Sequence, residues 1–332
     1  YPPLDHHISE SPEIHTKWED HLANGYQPDK HKARHPIHDL NHANLVKDVG
    51  LDESAFFQTK SGKLVGLVIR KFCTSNTAVA YADAAAAIQL PDGRNVHKED
   101  TGKLVQMGWS AGSRSSPHFD WAHNITKHLT EAVIKASNIE VSSLFALTWQ
   151  MVRKILPPEV VVNFDRFASE SGTPWMNGNC QLPEGTYQVV IDGKMIHFTD
   201  IELAPPGVVI GEKYLCPSHY EVQPHQFAIM WTTCRTPNEL DGCHFFLSKY
   251  GIQIQQATNT LIVWLPEDAF GTSLPNFDPK SKLDPDFCQR VVAFVTSSRL
   301  RKAWKDLQSG LCSRKEAIKF TLEHDESDIK YQ

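Results

Sequence analysis

The sequence predicts an α+β chain in which a C-terminal antiparallel jelly roll is braced by helices from the N-terminal half. Two textures predict it. From about residue 185, eight short runs rich in β-branched and aromatic residues follow one another, separated by turn residues and without helical stretches between them. Many short strands at that spacing favour a jelly roll or barrel over a parallel sheet. Ahead of them, apolar residues recur at helical spacing, which suits helices packed on the outside of a sheet.

Residues 1–45 are a histidine-rich arm, with eight of the 17 histidines inside the first 42 residues among Pro, Asp and Lys. The irregular spacing repeats no metal-ligand motif, so the arm reads as a loosely packed surface segment. Residues 64–69 (Leu-Val-Gly-Leu-Val-Ile) form a buried strand, and the Ala-rich stretch 78–88 a short helix ended by the turn Pro91-Asp92-Gly93. Two helices follow, over 126–137 and 141–156. The second places Val141, Leu144, Phe145, Val152 and Ile155 on one side and stops at Pro157-Pro158. The expected jelly-roll strands are 186–191, 195–198, 208–210, 227–233, 244–247, 252–256, 261–265 and 291–295. Ser313-Arg314-Lys315-Glu316 is a capping box opening a last helix. One domain over 46–332 results, with support in 46–184, the jelly roll in 185–298 and C-terminal helices in 299–332.

A hydrophobic content of 41% over 332 residues is enough for a substantial core. The formal charge of −6 argues against a dedicated nucleic-acid binder, and the basic runs at 30–34 and 299–305 read as solvated faces. Seven scattered cysteines without a Cys-x-x-Cys pair argue against a zinc knuckle or a disulfide scaffold. Free thiols place the expected compartment inside the cell, cytoplasmic or nuclear. No run approaches the apolar length of a membrane span.

The chemistry concentrates in two stretches. His219 and Glu221 stand two apart in Cys216-Pro217-Ser218-His219-Tyr220-Glu221, so on a strand both side chains point to one face and reach one ion. Phe270-Gly271-Thr272-Ser273 follows 51 residues beyond His219. Arg290 then opens the apolar run Val291–Val295, where a guanidinium suits a carboxylate through two parallel hydrogen bonds. Tyr220, Trp231 and Phe270 are the expected lining of a pocket for a flat, apolar small molecule. A second His-x-Asp, His118-Phe119-Asp120, precedes the jelly-roll strands and has no Gly-Thr partner, which points to a structural role.

These motifs, with Gly66-Leu67-Val68-Ile69-Arg70 and Met107-Gly108-Trp109-Ser110-Ala111-Gly112, resemble the Fe(II)/2-oxoglutarate dioxygenases of the TET and base-J-binding-protein superfamily. Within that group the chain is similar to fungal TET-like proteins, over about residues 185–296. The resemblance implies a double-stranded β-helix, a cupin-like jelly roll that couples decarboxylation of 2-oxoglutarate to hydroxylation. It implies His219 and Glu221 as catalytic residues and metal ligands, Arg290 as the 2-oxoglutarate anchor, and a nucleobase as one substrate class. The family's distal His does not carry over, because Phe270 stands in its place and an aryl ring offers no lone pair. His225 and His244 are the replacement ligands at hand.

Two functions follow. One is an oxygenase whose iron sits on His219, Glu221 and a third group, with 2-oxoglutarate as cofactor. The other is a metal-free descendant that binds a small molecule or performs acid/base chemistry, with Glu221 pushed up by burial against Phe270.

Overall fold

The computed structural model describes residues 1–24, 35–90, 102–112, 117–122, 130–237, 242–279 and 287–311. The turn at 91–93, the basic run at 30–34, the start of the predicted helix at 126 and the capping box at 313–316 lie outside them.

The elements of the N-terminal half are β1 (His7–Ser9), α1 (Pro12–Asn24), β2 (Ile37–Asp39), β3 (Lys47–Val49), β4 (Ala55–Gln58), β5 (Leu64–Arg70), α2 (Asn76–Gln89), β6 (Lys103–Gly112), β7 (Pro117–Trp121), α3 (Glu131–Ile155) and α4 (Pro158–Ser171). Then come β8 (Tyr187–Ile191), β9 (Lys194–Phe198), β10 (Gly207–Glu212), β11 (Ala228–Thr236), β12 (Phe245–Leu247), β13 (Ile252–Ile254), β14 (Thr260–Trp264), β15 (Gly271–Thr272), β16 (Cys288–Phe294) and α5 (Leu300–Gln308).

Capping explains the helix starts. Ser75 accepts from the Ala78 N–H at the head of α2, and Thr130 from the Val133 N–H at the head of α3. The two helices expected over 126–156 are one within the described residues. The polar run that suggests a break is consumed by neighbours: Asn138 accepts from the Trp121 indole, Ser142 from the Gly178 N–H and Ser143 from the Gln188 N–H. Pro158, read as a stop, also starts α4, since a proline at a first helical position lacks only an N–H that would have no helical partner.

An eight-stranded sheet runs β4-β5-β14-β11-β16-β10-β6-β7, and a four-stranded sheet runs β15-β12-β13-β3. The segment 216–219 extends the small sheet beyond β15: His219 and Phe270 exchange both backbone hydrogen bonds at 2.8 Å, and the Thr272 N–H donates to Cys216. From β10 to β16 the chain therefore passes between the two sheets repeatedly. An apolar core joins them, drawing Ala228, Met230, Ile262 and Ala293 from the large sheet and Phe245, Leu247, Ile252, Ile254 and Phe270 from the small one. The opposite face of the large sheet carries Ile229, Trp231, Val292 and Phe294 into a second core with α2, α3 and α4. Strand alternation sorts the two sets.

Three expectations change. The hairpin β8–β9 is a sheet of its own packed on α3, because Tyr187 and Val189 bury against Ala146. The N-terminal half supplies five strands, β3 to β7, to the two main sheets besides its helices. The described parts of the arm are no loose segment either: His7, Ile8 and Ser9 are buried, as are Ile14 and Trp18 on α1. Backbone bonds from Asp5 to Ser218, Ser218 to His6 and Leu274 to Ile8 sew it to the rim of the small sheet. No helix of the described residues is long and apolar enough to cross a membrane.

Candidate functional site

The hydrogen-bonded pairing of His219 with Phe270 sets the site. It puts the imidazole beside the phenyl ring, with centroids 4.5 Å apart. Gly271 permits the approach: a Cβ there would stand 2.9 Å from the Ser218 Cα, closer than real contacts allow. His219 and Glu221 do share a face, and the imidazole Nε2 lies 3.5 Å from the Glu221 Oε1. The imidazole Nδ1 donates to the Pro217 carbonyl at 2.8 Å, and the Gln223 amide donates to Glu221 at 3.0 Å.

Both ring nitrogens of His219 thus face acceptors, which suits an imidazolium. Burial is the largest influence and opposes that charge. The Cys216 sulfur, the Glu221 carboxylate and the Pro217 carbonyl outweigh it and push the pKa up to about 11. For Glu221, burial acts upward but the hydrogen bond and charge of His219 prevail, so its pKa is lowered. The expectation of a raised Glu221 is overturned, since its neighbour His219 is a cation.

Phe270 itself is buried and packs on Phe245 and Trp264, with centroids 5.9 and 5.4 Å away. The space beside His219 toward the inter-sheet core is therefore filled by aromatic rings. Tyr220 points the other way and is 60% exposed, next to Val222 at 74%. Trp231 does not join them. It lies on the helix-facing side of β11, fully buried, against Phe72 at 5.5 Å and donating to Asn259 at 3.3 Å. A tryptophan one residue out of step with Met230 points through the opposite face of the sheet.

Arg290 is also turned away from the inter-sheet core. It has the parity of Val292 and Phe294, and its Nε donates to Asp83 of α2 at 3.0 Å. Two buried cations do enter between the sheets among the described residues: Arg70, which donates to Thr260 and to the Val49, Gly50 and Gln255 carbonyls, and Arg235, which no motif flagged. A bulge between Thr232 and Cys234 shifts the phase of β11 and swings Arg235 inward, opposite Gln289. There it is 1% exposed, donates to the Gln289 side chain and to the Gly242 carbonyl at 2.9 Å, and lies over the Phe287 ring. Nearby, Glu10 from the arm accepts from Ser273 and from the Gln253 amide at 3.2 Å, and faces His244 at 3.8 Å. Only the run Cys234-Arg235-Thr236-Pro237 at the end of a strand hinted at Arg235; nothing local announces Glu10.

The replacement ligands do not converge. His225 stacks at 4.0 Å on Phe164, and burial lowers its pKa to about 4. His244 accepts from the Gln256 N–H, and burial lowers its pKa to about 3. Among the described residues no group of three His, Cys, Asp or Glu is placed to hold a metal ion. His118 and Asp120 lie on β7 at the edge of the large sheet, where Asp120 accepts from the Trp121 N–H. The donor set beside Phe270 supplies one imidazole and one carboxylate already engaged with each other, and the expected anchor Arg290 is bound to Asp83. These residues do not fit a facial triad with 2-oxoglutarate.

No protein-family model and no curated protein matches the chain. Among solved structures it is similar to NgTET1 in complex with 5mC DNA, at 8% identity and a TM-score of 0.45, over 87% of this chain and 88% of that one. It is also similar to the viral collagen prolyl hydroxylase vCPH from Paramecium Bursaria Chlorella virus-1 in its 2OG complex, at 9% identity and a TM-score of 0.31, over 71% and 97% of the two chains.

Proposed function

We propose that this chain is a double-stranded β-helix of the 2-oxoglutarate oxygenase type that has closed its iron centre and acts by binding. The strand order supports the first half. β10, β16, β11 and β14 lie side by side in the large sheet, while 216–219, β15, β12 and β13 form the facing one, as in a jelly roll wound from two alternating sheets. One observation carries the second half: Phe270, where the resemblance expects the distal ligand, is backbone-locked to His219 and packed into Phe245 and Trp264.

Acid/base catalysis by the pair is disfavoured. A general base works best with a pKa near the working pH, whereas His219 is held up to about 11 and Glu221 is held down. What the rim offers is recognition: a fixed cation and anion side by side, half exposed, with Tyr220 as a free aromatic face next to them. A small planar molecule or a nucleobase, with hydrogen-bonding edges for the pair and a π-face for Tyr220, is the proposed ligand class.

Anaerobic titration of the chain with Fe(II), followed by metal analysis, tests the reading. The expected result is no stoichiometric iron in the wild type, and binding at least about tenfold tighter in Phe270→His, where a third donor completes the site. One equivalent of iron retained by the wild type, with 2-oxoglutarate binding that depends on it, overturns the proposal in favour of an active oxygenase.

A further inference from the structure

A second cluster of reactive groups lies on the helix-facing side of the large sheet, away from the rim. In the β11–β16 ladder Cys234 is opposite Arg290 and Thr236 is opposite Cys288, so the two cysteines are diagonal neighbours on one face. Both are partly exposed and free. That diagonal register sets the Cys288 thiol beside the Cys234 side chain. The Thr236 hydroxyl stands 3.9 Å from the Cys234 sulfur, and the Arg290 guanidinium, itself held by Asp83, adds positive charge.

We propose that Cys234 and Cys288 form a reversible redox pair, with Cys234 as the attacking thiolate and Cys288 as the resolving thiol. The neighbouring Cys288 thiol is the largest influence on Cys234. Helped by Thr236 and Arg290 against burial and Asp83, it lowers the Cys234 pKa to about 7. Cys234 and burial together raise Cys288. A thiolate favoured on one sulfur while its neighbour keeps the proton is the asymmetry of an activated dithiol.

The oxidant is a hydroperoxide. The Cys234 thiolate attacks its terminal oxygen; the S–O bond forms, the O–O bond breaks, and hydroxide or alkoxide leaves. Cys288 then attacks the resulting sulfenic acid. The S–S bond forms, the S–O bond breaks, and the departing hydroxide takes the Cys288 proton as water. Two thiols give up two electrons and the peroxide accepts them. Diagonal ladder neighbours sit about 7–8 Å apart, beyond the usual disulfide Cα separation, so closure must draw this end of β11 and β16 together. A bond closed against the ladder is readily reopened by reduced glutathione.

The test uses the full chain with one equivalent of hydrogen peroxide, followed by peptide mapping without reductant. The expected product joins the Cys234 and Cys288 peptides and disappears with glutathione. In Cys288→Ser a dione probe should capture Cys234 as the sulfenic acid. At neutral pH iodoacetamide should label Cys234 about fivefold faster than the exposed Cys180, the gain in thiolate fraction being partly offset by lower nucleophilicity. Oxidation at Cys180 while Cys234 stays reduced, or a bond from Cys234 to any cysteine other than Cys288, overturns the proposal. Should Cys288→Ser not fold, the wild-type peptide map decides alone.

Discussion

A phenyl ring beside an imidazole leaves the charge state of that imidazole to its other neighbours. With no third donor at Phe270, His219 meets Glu221 and becomes an imidazolium between two acceptors. That makes the pair a pH-sensitive stabiliser. The folded pKa of His219 lies above its unfolded value, so its contribution is complete below the ordinary histidine range and is lost as pH rises toward about 11. Glu221, lowered on folding, contributes above the ordinary carboxylate range and loses its share in acid. Urea midpoints of wild type and His219→Gln should therefore differ most near pH 6 and converge as the pH is raised; a gap that widens in alkali would contradict the ion pair. Phe270→Ala, which empties a buried aromatic site, should cost about 3–5 kcal/mol in the same assay.

At the scale of elements, the bulge in β11 decides which cation faces which layer. It sends Arg235 between the sheets and leaves Cys234 opposite Arg290 on the helix side. Arg290→Ala should then behave as the loss of a largely buried ion pair to α2, about 1–3 kcal/mol by denaturant midpoint. Calorimetric titration with 2-oxoglutarate should give the same heats for wild type and variant, whereas a role as carboxylate anchor requires them to differ. Arg235→Ala leaves the Gln289 side chain and the Gly242 carbonyl without their buried donor, and should cost about 3 kcal/mol or more. The His-x-Glu register was legible because a period of two is rigid. The faces of Trp231 and Arg290 were not: Trp231 needed the phase of β11 relative to the two cores, and Arg290 needed the identity of the layer that carries Asp83.

Over the whole molecule, the N-terminal arm is the long-range element. Its backbone pairs with 218 and 274, and Glu10 reaches Ser273 and Gln253 from more than 240 positions away in sequence. Deletion of residues 1–10 should expose the backbone edge along 216–218 and 273–274 and lower thermal stability. It should also promote self-association at that edge, read by sedimentation velocity. An unchanged melting temperature and a monomer indistinguishable from the full chain would show that the arm is not integral to the fold.

Sequence by itself determined the α+β class, the run of short strands that wind between two sheets, and the pairing of His219 with Glu221. It did so because alternation and turn chemistry act over a few residues. It also determined that Phe270 stands where a ligand is expected. Tertiary structure alone decided that this ring is packed shut by Phe245 and Trp264, that Arg290 belongs to α2, that Arg235 and Glu10 are buried near the inter-sheet core, and that Cys234 meets Cys288. Those facts depend on which strands become neighbours, and strand neighbours are chosen by core packing between segments far apart in the chain.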